Sequence, residues 1–240
     1  MEHISSPNFN VRPEGAEIDM LVLHYTGMPT AQDALDRMCD PKAEVSSHYM
    51  VEETGNVIAL VDEDKRAWHA GVSKWRGRDN INHYSIGIEI VNPGHEFGYS
   101  RFPAEQMEAV AELCLSVLGR YKIPSYNIVG HSDIAPLRKQ DPGERFDWKW
   151  MAEKGVGVFP DIPKKTPYED GVEIGMRNDR VYDLQSRMRK YGYSVEVDGY
   201  FGPNMSQIVQ AFQRRFMPIR LDGIWDTWCD YRLNKLLKVK

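Results

Sequence analysis

The chain has 240 residues, a formal net charge of -5, 42% hydrophobic residues and 27% charged residues. That length suits one domain of ordinary size plus a smaller one, and the apolar content is enough to bury a core over most of the chain. The acidic balance argues against a basic face that tracks phosphates, so no nucleic-acid partner is expected.

Residues 1–18 are polar and carry Pro7, Pro13 and Gly15, which predicts an extended N-terminal arm. The first residues lack the basic start and apolar run of a secretory leader, and no stretch approaches the ~20 apolar residues of a membrane span. A cytoplasmic protein without an integral membrane segment is expected, with a periplasmic or envelope-associated one as the alternative.

The first strong strand is Met20–His24, and a helix over Ala31–Cys39 follows, with Thr30 as N-cap and Pro41 beyond its end. Strands are predicted at His48–Glu52, Val57–Val61 and Ser85–Val91. In the last, Ile86, Ile88 and Ile90 share one face, and Glu89 points the other way beside Gly87. A helix from about Pro103 to Tyr121 carries a core stripe from Met107 to Tyr121, a short strand Asn127–Gly130 delivers His131, and Asp133–Pro142 reads as loop. Cys39, Cys114 and Cys229 have no disulfide or thiolate-knuckle spacing and read as free thiols.

These elements predict an α/β (α+β) fold, a mixed central sheet packed by helices over residues 19–160, with a linker over 161–175. Residues 176–240 form a small C-terminal three-helix domain, in which the turn Val197–Phe201 is repeated at Leu221–Trp225, each before a helix.

A hydrolytic zinc site needs three nitrogen or oxygen ligands and an open position, and seven histidines supply candidates. His24 and His131 each close an apolar strand, where a side chain projects from the sheet rim into a cleft. Asp141 lies in a Pro/Gly-rich loop. Taken singly, each has a bland reading: a strand-end histidine is usually a hydrogen-bonded structural group, and Asp-Pro-Gly is usually a turn. Glu89 and Lys139 would ordinarily be solvated surface.

Read together, His24-Tyr25-Thr26, Ser47-His48-Tyr49, Ala67-Trp68-His69-Ala70-Gly71, Ile86-Gly87-Ile88-Glu89, Gly130-His131-Ser132-Asp133-Ile134-Ala135-Pro136 and Arg138-Lys139-Gln140-Asp141-Pro142-Gly143 occur in this order. Over about Asp19 to Pro160 the chain thereby resembles the type-2 N-acetylmuramoyl-L-alanine amidases, within them the AmpD and AmiD branches. The C-terminal part resembles a three-helix peptidoglycan-binding domain.

The resemblance implies zinc bound by His24, His131 and Asp141, with Glu89 and Lys139 in catalysis. Such a zinc would polarise the scissile carbonyl and acidify water. Glu89 would shuttle the water's proton to the leaving amine, and Lys139 would stabilise the oxyanion. The implied substrate is peptidoglycan or a muropeptide, cut between the muramoyl lactyl group and L-alanine. His69 is a candidate for lining the substrate groove, as are Trp68 and Arg76, though Trp68, Trp75 and Arg76 read equally as packing. His48 reads as a buried, hydrogen-bonded histidine, and His3, His83 and His95 as without a specific role.

Ser47 departs from relatives, phage amidases among them, that carry a catalytic Tyr before the second-motif histidine, which shifts the proton transfer to Glu89. Asp141 stands where those enzymes use Cys. Two other functions remain open at this point: a non-catalytic peptidoglycan recognition protein, and a zinc carboxypeptidase acting within the stem peptide.

Overall fold

The computed structural model describes residues 1–169 and 171–239. Asp170, inside the expected linker, and Lys240, the last residue of the expected C-terminal domain, lie outside the described residues. The strands in chain order are β1 (Glu2–His3), β2 (Phe9–Val11), β3 (Met20–Tyr25), β4 (Tyr49–Val51), β5 (Val57–Ala59), β6 (Lys65–Ala67), β7 (Lys74–Trp75), β8 (Arg78–Asp79), β9 (Ser85–Ile90) and β10 (Ile128–Gly130). The α-helices are α1 (Ala31–Cys39), α2 (Gly94–Phe97), α3 (Ala104–Arg120), α4 (His131–Ile134), α5 (Trp148–Glu153), α6 (Asp179–Tyr191), α7 (Pro203–Phe216) and α8 (Thr227–Leu236). None is long and apolar enough to cross a membrane.

A six-stranded mixed sheet in the order β1-β5-β4-β9-β3-β10 organises the chain. Its centre is parallel, β4 with β9, β9 with β3 and β3 with β10, whereas β5 runs antiparallel to β4. Both faces of the central strands are covered, which is why β3 reads as an almost unbroken apolar run. Leu21, Leu23, Ile86, Ile88 and Ile90 point to one face and pack with Met107, Val110, Cys114 and Val117 of α3. The alternate residues Met20 and Val22, with Val129, point to the other face.

That second face is where the C-terminal part docks. Leu184 and Met188 of α6 and Phe212 and Phe216 of α7 lie in one buried cluster with Met20, Val22, Trp75 and Val129. A buried ion pair pins the contact: Arg215 Nη1 donates to Asp133 Oδ2 at 2.9 Å, and both side chains are within 1% of full burial. The other carboxylate oxygen accepts from the Tyr193 hydroxyl at 2.5 Å, and Arg215 Nη2 reaches the Ile128 carbonyl.

Within the C-terminal part the repeated turn has a physical basis. The Gln185 amide donates to Asp198 Oδ1 and accepts from the Gly199 N–H; the Gln213 amide does the same with Asp222 Oδ1 and the Gly223 N–H. Each Asp-Gly turn is thus clamped by the helix that faces it.

Several local features differ from the sequence reading. The N-terminal arm is extended but built into the fold, because β1 pairs with β5 and β2 with β6. Arg12 in the arm donates to the carbonyls of Glu63, Asn82, His83 and Ser85, saturating backbone acceptors that the sheet leaves open. The expected loop over Asp133–Pro142 begins inside the short helix α4. The segment after Pro160 runs along α8: Val172 bridges Trp225, and the Thr227 hydroxyl and Trp228 indole N–H donate to the Pro167 and Thr166 carbonyls.

Candidate metal centre and active site

Strand register brings the chemistry together. Parallel pairing sets His24 of β3 opposite Glu89 of β9, and Leu23 opposite Gly130 of β10, so that His131 follows beside His24. All three stand at the C-terminal ends of adjacent parallel strands, the usual edge for ligand sites in such sheets. Asp141 closes the group from the following loop. That loop is tied down by the Ser132 N–H to the Asp141 carbonyl at 2.9 Å and by the Tyr99 hydroxyl to the Pro142 carbonyl at 2.8 Å. Gly130 permits the approach, since a Cβ there would lie 2.8 Å from Pro142 Cδ.

Three atoms converge. His24 Nδ1 lies 3.0 Å from His131 Nδ1 and 3.0 Å from Asp141 Oδ2, and His131 Nδ1 lies 3.1 Å from the same oxygen. The far nitrogens decide what fills the triangle. His131 Nε2 is 3.0 Å from the Ala70 carbonyl, which can only accept, and 3.3 Å from Arg138 Nη2, which can only donate; the closer carbonyl favours the proton on Nε2, which leaves Nδ1 a lone pair.

For His24 the same assignment passes through two side chains. The Ser85 hydroxyl donates to the Ile81 carbonyl at 2.8 Å and so accepts from His69 Nε2–H at 3.1 Å. Burial holds the His69 pKa well below the ordinary value, so the ring is neutral and its Nδ1 accepts from His24 Nε2–H at 3.0 Å. The His24 Nδ1 lone pair therefore also faces the triangle.

Two nitrogen lone pairs and a carboxylate oxygen would repel one another at 3 Å without a cation among them. Their chemistry and the donors behind them suit a divalent metal bound by two neutral imidazoles and one carboxylate. Burial, then the neighbouring His131, pushes His24 down to about 4, which keeps its ring neutral.

Glu89 and Lys139 line the same cleft, about 420 Å³ in volume, with His69, His131 and Asp141. Glu89 Oε2 is buried without a hydrogen-bond partner. Burial, then the charge of Asp141, raises its pKa well above the usual carboxylate value, with Lys139 opposing. A carboxyl poised upward beside a metal triangle has the properties of a proton-transfer group.

Other candidates fall differently. His69 lines the cleft but is 5% exposed, and its main contact is with the back of His24. It fits only because residue 87 is glycine, where a Cβ would lie 2.4 Å from His69 Cγ. Trp68 and Arg76 are not among the residues lining the cleft. The Trp68 indole N–H donates to Asn10 Oδ1 in β2, and Arg76 donates to the Tyr191 carbonyl at the end of α6 and stacks over Tyr126.

His48 is fully buried, accepting from the Gly87 N–H and facing the Lys65 carbonyl. From sequence, His95 is expected to have no specific role. It sits at the cleft rim, 3.0 Å from the Tyr25 hydroxyl and 3.1 Å from Glu144, contacts over long sequence separations that no local pattern signals.

Comparison with known proteins follows the same lines. The N-acetylmuramoyl-L-alanine amidase family model matches residues 14–144, and a peptidoglycan binding domain model matches residues 177–227. The N-acetylmuramoyl-L-alanine amidase AmiD of Escherichia coli K12 is 34% identical over 86% of this chain and 77% of its own. The 1,6-anhydro-N-acetylmuramyl-L-alanine amidase AmpD of Haemophilus influenzae is 37% identical over 61% of this chain and 87% of its own. The solved complex of E. coli AmiD with anhydro-N-acetylmuramic acid-L-Ala-D-γ-Glu-L-Lys superposes with a TM-score of 0.82 at 31% identity, covering 95% of this chain and 92% of that one. The chain belongs to the N-acetylmuramoyl-L-alanine amidase family and is an enzyme of that class.

Proposed function

We propose that the chain is a zinc-dependent amidase that hydrolyses the bond between the muramoyl lactyl group and L-alanine in muropeptides, including 1,6-anhydro forms. The observation that carries this reading is the triangle of His24 Nδ1, His131 Nδ1 and Asp141 Oδ2, whose far nitrogens are already committed as donors. A zinc ion held there supplies Lewis acidity to the scissile carbonyl and to the attacking water.

The protein's own groups do the rest. Glu89, without a partner at Oε2, takes the proton of the attacking water and returns it to the leaving alanine nitrogen. Lys139, held in place by its backbone N–H to the Ala135 carbonyl at 3.0 Å, offers an ammonium to the oxyanion of the tetrahedral intermediate. His69 and Ser85 fix the His24 tautomer from behind the triangle. The anhydro form of the substrate is supported by the sugar named for both AmpD and the AmiD complex, and polymeric peptidoglycan by the C-terminal family match.

Mass analysis of the products of an anhydro-muramoyl tripeptide tests the reading. Free anhydro-muramic sugar and intact tripeptide are expected. Release of a C-terminal amino acid would assign a carboxypeptidase instead, and binding without any product would assign a recognition protein.

A further inference from the structure

Arg138, Lys139 and Gln140 form a wall shared by two clefts. One holds the metal triangle; the other, about 210 Å³, is closed on its far side by Gln207, Gln210 and Arg214 of α7. The C-terminal part therefore contributes directly to the space beside the catalytic loop. It does so rigidly, because the next residue, Arg215, is locked onto Asp133, two positions after a metal-ligand candidate, and Phe212 and Phe216 lie in the shared core.

Arg214 stands out in this wall. Its Nε is buried without a hydrogen-bond partner, and its guanidinium makes no hydrogen bond or ion pair among the described residues. Its charge acts on Glu144, Tyr25 and Tyr99, residues at the rim of the metal cleft or next to it. A guanidinium that is partly desolvated and without a hydrogen-bond partner can donate to a planar anion, and its fork matches a carboxylate in two-point fashion.

We propose that Arg214 and the adjacent wall of α7 form a subsite for a carboxylate of the stem peptide beyond the scissile bond, making the C-terminal part a component of substrate selection. This rests on the amidase reading above. The γ-linked D-Glu of the peptide in the AmiD complex shows the chemistry: linkage through the side chain leaves the α-carboxylate free. Amidation of that group would leave its shape and remove its charge.

The test compares two soluble substrates, N-acetylmuramoyl-L-Ala-γ-D-Glu-L-Lys and its counterpart with the D-Glu α-carboxylate amidated (D-isoglutamine), with wild type, Arg214→Gln and Arg214→Lys. Wild type should prefer the acid roughly tenfold in kcat/KM, the scale of one charge-assisted hydrogen bond. Arg214→Gln should lose that preference through a higher KM for the acid, with the amide substrate unchanged; Arg214→Lys, a charge without the fork, should fall between. The proposal is overturned if wild type shows no preference, if Arg214→Gln keeps it, or if the variant slows both substrates equally. Failure of wild type to cut the lactyl amide of either substrate would instead sink the amidase reading.

Discussion

Two buried polar clusters flank α4, and they are built on opposite principles. At Asp133 both carboxylate oxygens are occupied, one by the Tyr193 hydroxyl and the other by Arg215 Nη1 and the Gly130 N–H. At His131 the polar atoms face one another as acceptors, with His24 Nδ1 and Asp141 Oδ2 about the same centre and Glu89 Oε2 left without a partner close by. A paired carboxylate and guanidinium in a low-dielectric interior hold a fold together, even with Arg215 Nε left without a partner. Acceptors gathered about one centre are suited to hold a cation, so the two clusters separate structural from chemical work within a few residues.

The comparison breaks most visibly at Asp141. Asp141→Ala removes one vertex of the triangle and should lower amidase activity more than roughly a thousandfold. Metal analysis should find the ion lost, and circular dichroism should find the helices intact. Next come Glu89→Gln and Lys139→Met, each expected to lower kcat by about a hundred- to a thousandfold while the metal content stays at the wild-type level. Near-normal turnover in either variant would remove that residue from the mechanism.

The ion-paired cluster should respond in stability instead. Arg215→Met leaves the Asp133 charge buried beside Tyr193 and should cost about 3–5 kcal/mol in denaturant unfolding, with the kcat of the folded fraction changed by only a few-fold. A large loss of kcat without a loss of stability would erase the distinction between the clusters. The smallest effect is expected for Ser85→Ala, which frees the His69 ring to present the wrong nitrogen to His24. Metal affinity measured by chelator competition should weaken roughly tenfold, and unchanged affinity would show that the tautomer of His24 is set without this chain.

The sequence reading succeeded where one short segment contains its own physics. The alternation of Ile86, Ile88 and Ile90 places Glu89 on the opposite face of β9 from sequence periodicity alone, and the Thr30 side chain caps α1 by accepting from the Asp33 N–H. The metal-ligand candidates came from a resemblance, because their convergence depends on the register of β3, β9 and β10 and on a loop tie between Ser132 and Asp141.

What escaped is long-range. Arg12 finds its carbonyls across seventy or so residues of sequence, and the lock of Arg215 on Asp133 joins two parts that composition separates. Trp68 and Arg76, which read equally as groove lining and as packing, are aimed by short strands and turns at β2 and α6.

Metal titration reaches the central claim most directly. Chelator-stripped protein, given increasing zinc, should gain lactyl-amide hydrolysis linearly up to one equivalent per chain and then plateau, and Asp141→Ala should show neither the binding nor the gain. Full activity in the stripped protein, or equal zinc uptake by Asp141→Ala, would contradict the account.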